Sequence, residues 1–83
     1  MTTENEVKRF VVRTFAPDLS TEELPSDVDL METGIVDSLG LLRLIAWVGE
    51  HFDIPVDDQD ISPDQFASVS AITVFVHGAR AAA

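Results

Sequence analysis

Within Gly34-Ile35-Val36-Asp37-Ser38-Leu39, a serine hydroxyl sits beside a carboxylate, where an acidic stretch gives way to an apolar helical pattern. A hydroxyl in that setting can be a nucleophile or a tether. The chain has no cysteine, two histidines (His51 and His77) and no glycine-rich phosphate loop. If the protein takes part in covalent chemistry, Ser38 is the residue on which a group is attached or cleaved. The plain alternative is an ordinary serine at a helix start, which is common.

The letters of a hydrolase are present but do not assemble. Ser38 and His51 fall on one predicted helix, and thirteen residues at 1.5 Å each set them ~20 Å apart. Val36 stands where the nucleophile-elbow pattern needs glycine. Asp57-Asp58-Gln59-Asp60 with Asp64 suggests a calcium loop, yet counting from Asp58 the required glycine and glutamate positions hold Pro63 and Val69. Two histidines without cysteine make no zinc site. The sequence therefore predicts no catalytic residues and no metal.

Four helical segments must position Ser38. Thr3-Glu4-Asn5-Glu6 reads as a capping box with Thr3 at the N-cap. Val7, Phe10, Val11 and Phe15 follow at helical spacing until Pro17, predicting a helix from Glu4 to Phe15 with Lys8, Arg9 and Arg13 off its apolar stripe. From Asp18 to Val36 the periodicity disappears, but Leu19, Leu24, Val28, Leu30, Met31 and Ile35 recur, as in a loop laid across helices. A second helix starts at Asp37 or Ser38, capped by Asp37, and ends between His51 and Asp53. Its expected buried stripe is Leu41, Ile45, Val48 and Phe52, widened by Leu42. Ser62-Pro63-Asp64-Gln65 opens a short turn to Ala67. Ser68 caps a last helix on which Val69, Ile72, Val76 and Ala79 share a face, with a looser end at Gly78 and a fraying tail, Arg80 to Ala83. The predicted fold class is all-α: a small four-helix bundle, three longer helices and one short, with a long first loop. It forms a single domain over 1–83.

Size and charge narrow the function. A chain of 83 residues buries roughly 60–65% of its unfolded surface, one modest core and little wall for a substrate cleft. The formal net charge is −10, and thirteen acids between Asp18 and Asp64 are opposed there by Arg43 alone. Such a surface repels phosphate backbones and anionic headgroups, which excludes nucleic acid and membrane as partners and favours basic patches on proteins. The acidic start, Met1 to Glu6, is no secretory signal, and no apolar run approaches ~20 residues. The absence of cysteine fits a reducing compartment. The expectation is a cytoplasmic, soluble monomer.

Gly34-Ile35-Val36-Asp37-Ser38-Leu39, then Leu44-Ile45, Glu50-His51-Phe52-Asp53-Ile54 and Val69-Ser70-Ala71-Ile72, resemble the acyl and peptidyl carrier protein family across essentially the whole chain. The resemblance implies that Ser38 carries 4′-phosphopantetheine, transferred from coenzyme A by a phosphopantetheinyl transferase. The arm's thiol would then hold acyl or aminoacyl intermediates as thioesters and present them to downstream synthase enzymes. The chain would be a carrier and a substrate of other enzymes, not itself an enzyme. By the same analogy, Asp37 would help a basic transferase grip the site, and Leu39 would make an apolar partner contact.

Fatty-acid carriers usually place acids where this chain has Gly40 and Arg43. Removing two negative charges and adding a positive one changes which partners dock. The expectation is a discrete carrier of a specialised polyketide or nonribosomal peptide-type pathway, loaded by an adenylating acyl or aminoacyl ligase or by an acyltransferase. D-alanyl carrier proteins are similar in Gly40 and in the Phe52 to Val56 segment. The alternatives are a fatty-acid synthesis carrier and an acidic, non-covalent interaction domain. Trp47 falls near Gly40, Arg43, Glu50 and His51, off the expected stripe. It either packs under the first loop or, with Arg43 and Glu50, contacts a partner.

Overall fold

The computed structural model describes residues 2–55 and 62–81. Helix α1 spans Thr3–Phe15, α2 Ser38–His51 and α3 Val69–Ala81, with single 3-10 turns at Thr21–Glu23 and Pro63–Phe66. Among the described residues there is no strand, so the all-helical expectation holds, with three α-helices and Pro63–Phe66 as the short fourth element. The acidic run 57–60 lies outside the described residues.

The α1 cap falls one residue earlier than the capping box predicted. Thr2, in extended backbone, accepts from the Asn5 amide at 3.1 Å. Glu6, expected to close a box on Thr3, instead meets His51 Nε2 at 3.2 Å. Val7 and Val11 are fully buried and Phe10 and Phe15 partly so, as an amphipathic helix requires. The helix packs against α3. Along α2 it runs antiparallel, because Phe15 lies beside Gly40, Phe10 stacks on Trp47 and Glu6 meets His51.

Residues 16–37 form a packed strap. Leu24, Leu30 and Val36 are buried, each worth roughly 1.5–3 kcal/mol on leaving water. The strap's backbone is also tied down. The Leu30 amide donates to the Ala67 carbonyl and the Ser70 amide to the Ser26 carbonyl, both at 2.8 Å, which fastens it to the entry of α3. The Ser26 hydroxyl donates to the Glu4 carboxylate, which fastens it to α1. Asp29 Oδ1 accepts from the Met31 and Glu32 amides at 3.0 and 2.9 Å, a side-chain turn of the kind Asp favours. Gly34 then takes φ +81°, and the Val36 amide closes back on the Leu30 carbonyl at 2.9 Å. This closure delivers the chain to Asp37 in the extended conformation that an N-cap needs.

The buried face of α2 differs from the expected stripe. Gly40, Leu44 and Val48 are buried within the helix, Phe52 is buried just past it, and Leu41 and Ile45 are only partly covered. Leu42, expected to widen the stripe, is 64% exposed. Apolar residues occupy nearly every position from Leu39 to Val48, so periodicity cannot choose the face, and tertiary neighbours decide it. The end of α3 also differs, since it continues through Gly78 to Ala81. Its entry is as predicted: Ser68 Oγ accepts from the Ala71 amide at 3.1 Å, and Val69, Ile72 and Val76 are buried.

Candidate functional site at the start of α2

Ser38 is the first residue of α2 and is exposed. Its hydroxyl makes no hydrogen bond with the described residues. Asp37 caps the helix, its Oδ1 accepting from the Gly40 amide at 2.7 Å and its carbonyl from the Leu41 amide at 2.8 Å. Among the described residues the amides of Ser38 and Leu39 stay unclaimed. Unclaimed amides at the positive end of a helix dipole favour an anion bound at that point.

Gly40 explains why the cap sits so closely. A Cβ there would lie 2.9 Å from Phe15 Cε1, 3.1 Å from the Asp37 carboxylate oxygen and 3.2 Å from Val36 Cγ1. The end of α1, the end of the strap and the cap therefore meet on a glycine, which fixes Ser38 relative to all three. This junction was missed in the sequence. The available signal was a glycine inside a helical pattern, which costs about 1 kcal/mol against alanine and calls for a packing reason.

Of the residues expected to contact partners, Asp37, Leu39 and Arg43 reach the surface beside Ser38, and Glu50 does so twelve residues further along α2. Leu39 is 73% exposed, and Asp37, Arg43 and Glu50 are exposed. At 100° per residue, Ser38, Leu39, Leu42, Ala46 and Glu50 share one side of α2. Phe15, Asp37, Leu39, Gly40, Leu42 and Arg43 line an open depression of about 470 Å³ beside the serine. Trp47 is half-buried on another side. Its ring stacks on Phe10 (centroids 4.2 Å apart) and on His51 (4.7 Å), so it packs on α1, not under the strap. The histidines stand away from Ser38: His51 closes the far end of α2 against Glu6, and His77 meets Thr3 Oγ1 at 3.3 Å. No described helix is long and apolar enough to cross a membrane.

An all-helical fold with a packed strap leading into an exposed helix-start serine defines a class of small tethering domain. Residues 9–76 match the family model described as the phosphopantetheine attachment site, and the chain belongs to that family. It is a phosphopantetheine carrier protein, and covalent 4′-phosphopantetheine is its cofactor. The D-alanyl carrier protein of Streptococcus mutans is 31% identical over 72 residues, covering 87% of each chain. The apo structure of KstB-PCP superposes with a TM-score of 0.80 at 41% identity, over 92% of this chain and 84% of that one. The solution structure of KstB-PCP in kosinostatin biosynthesis gives 0.66 at 42% identity, over 95% and 89%. The residues at the start of α2 fit such a group: an unpaired exposed hydroxyl, two unclaimed amides and a carboxylate held in the cap.

Proposed function

We propose that Ser38 is the attachment point and that the chain is a discrete carrier, a single domain over 1–83. The observation that carries the reading is the free, exposed hydroxyl at the capped N-terminus of α2. In the attachment reaction Ser38 Oγ attacks the pantetheine-bearing phosphorus of coenzyme A. An O–P bond forms as the pyrophosphate bond breaks, adenosine bisphosphate leaves, and the hydroxyl proton passes to a base on the transferase. When bound, the group supplies a thiol on a long flexible chain, able to hold an acyl or aminoacyl unit as a thioester.

This chain's own residues do the positioning. The Ser38 and Leu39 amides face the negative charge that attachment brings to the helix start. Asp37 holds the first turn closed and presents a carboxylate to a basic transferase. Leu39 and Leu42, both largely exposed, give partner enzymes an apolar hold, flanked by Arg43 and Glu50, with Trp47 at the edge. In this reading the chain is a substrate of other enzymes: the Asp37 carboxylate is held by the Gly40 amide in the helix cap, and the base that takes the serine proton belongs to the transferase. The likeness to a D-alanyl carrier and to KstB-PCP in kosinostatin biosynthesis supports a specialised pathway; in this reading the carrier works in the cytoplasm and is loaded by an adenylating ligase or an acyltransferase. The glycine at position 40 also weighs against a fatty-acid synthesis carrier, because Phe15 occupies the space an acidic side chain there would need.

Mass spectrometry tests the attachment directly. The protein is weighed before and after incubation with coenzyme A, magnesium and a broad-specificity transferase. One phosphopantetheine is expected on the wild type, present at the outset or added, and none on Ser38→Ala. A wild type without the adduct, or a Ser38→Ala variant that gains it, overturns the assignment.

A further inference from the structure

We propose that the groove between α1 and α2 is a resting site for the far end of the loaded arm, and that it favours an acyl group ending in a carboxylate. The proposal rests on attachment at Ser38. Leu39, Arg43, Trp47 and His51 follow one another at i+4 spacing down α2, and such residues form one ridge. The ridge begins next to Ser38. Leu39 and Arg43 line the open depression beside the serine. Trp47 and His51, with Glu6, Arg9, Phe10 and Arg13 of α1, line a second one of about 270 Å³.

The reach is sufficient. Nine residues of helix place Trp47 about 13 Å along α2 from Ser38. An extended covalent chain advances about 1.2 Å per bond, and the pantetheine arm has more than a dozen bonds between the serine oxygen and its sulfur.

The lining chooses the cargo. In a chain of net charge −10, Arg9 and Arg13 stand one turn apart on α1, a like-charge spacing that costs helix stability. Arg13, like Arg43, has no carboxylate partner among the described residues, and Glu6 is engaged by His51. The Trp47 indole N–H, a donor with no acceptor role, makes no hydrogen bond among the described residues and is not fully buried. Phe10 and His51 stack on the indole, so a flat ring has no ready place against it. The groove instead offers short apolar walls, cations and an unpaired N–H, which suits a small aliphatic acyl group with an anionic end. A long neutral acyl chain gains nothing from these donors.

Three loaded forms test this, made with a broad-specificity transferase from coenzyme A, glutaryl-coenzyme A and pentanoyl-coenzyme A. Mass spectrometry is read first. A wild type that neither carries the group at the outset nor gains it means that the Ser38 assignment has failed and takes this proposal with it. With loading confirmed, the indole ¹H–¹⁵N resonance of Trp47, the single tryptophan, reports on the groove. A displaced resonance is expected in the glutaryl form relative to the other two. The displacement should vanish in Arg13→Gln and shrink in Arg9→Gln. Free glutarate at the protein's own concentration should not reproduce it, since tethering supplies the effective concentration. Identical indole positions in the glutaryl and pentanoyl forms, or a displacement that survives Arg13→Gln, overturn the proposal while leaving attachment at Ser38 intact.

Discussion

An aspartate stands just outside each end of α2, and the two do opposite things. Asp37, at φ −99° and ψ −174°, takes the extended conformation of an N-cap and accepts the Gly40 amide. Its charge faces the positive end of the helix dipole. Asp53, two residues past the last helical residue, sits at φ +55°, in the left-handed region where a side chain is strained. Its charge lies at the negative end of the same dipole. The backbone around Asp53 still closes well, with the Ile54 amide donating to the Gly49 carbonyl at 2.9 Å, the pattern in which glycine usually holds this position. The end bearing Ser38 is thus locally relaxed and over-determined by three neighbours. The far end carries a strain that the fold tolerates. On the proposed attachment at Ser38, accuracy is concentrated at the end where a transferase would have to find one oxygen.

The sharpest way to break that contrast is to overfill the relaxed end. Gly40→Glu would drive a side chain against Phe15 and set a second carboxylate beside the Asp37 cap. Overpacking of this kind costs about 1–3 kcal/mol, and the better helix propensity of glutamate returns less than about 1 kcal/mol. A net loss of about 2 kcal/mol is expected by urea denaturation. Phe15→Ala should absorb part of it, so the double variant should cost less than the sum of the singles. Strict additivity would show that Phe15 is not what confines Gly40.

Removing the cap is the next largest effect. Asp37→Ala should lose about 0.5–2 kcal/mol, a fall in Tm of about 4–8 °C per kcal/mol for a domain of this size. Asparagine caps as well as aspartate, so Asp37→Asn should keep Tm near the wild type. If the carboxylate also serves the transferase, both variants should load more slowly. Equal loading rates in Asp37→Asn and the wild type would restrict Asp37 to capping.

The sequence was easiest to interpret where structure is local. The cap at Asp37, the cap at Ser68 and the Ser62 to Gln65 turn, whose Ser62 amide reaches Gln65 Oε1 at 2.9 Å, depend on residues within one turn of each other and were expected from their letters. Ser20 to Glu23 carries the same signature, with the Ser20 amide donating to Glu23 Oε1 at 2.9 Å. It lies inside the aperiodic stretch from Asp18 to Val36, where no helical pattern follows it to mark a start. Long-range choices were less accessible. Nothing within α2 distinguishes Leu42 from Leu44, because apolar residues flank Arg43 on both sides and only the packing of the other elements buries one of them. Trp47 found Phe10 through the antiparallel pairing of two helices separated by the strap, a register that no local pattern encodes. The placement of Ser38, exposed at the first residue of α2, was accessible from sequence because it depends only on the local helix start.

The strained end gives the smallest expected change and the finest test of the comparison. Asp53→Gly removes the left-handed strain and the unfavourable charge, but glycine also adds entropy to the unfolded chain. The net expectation is a gain of roughly 0.5–1 kcal/mol. Asp53→Asn separates the two causes: asparagine tolerates the left-handed region about as well as aspartate, so its gain should be the charge alone, about 0.3–0.5 kcal/mol, and should fade as salt screens the dipole. A glycine variant no more stable than the asparagine one would mean that φ +55° costs Asp53 little, and that the two ends of α2 differ in electrostatics and not in strain. In either case Ser38 lies at the opposite end of the helix, so transferase loading should not change.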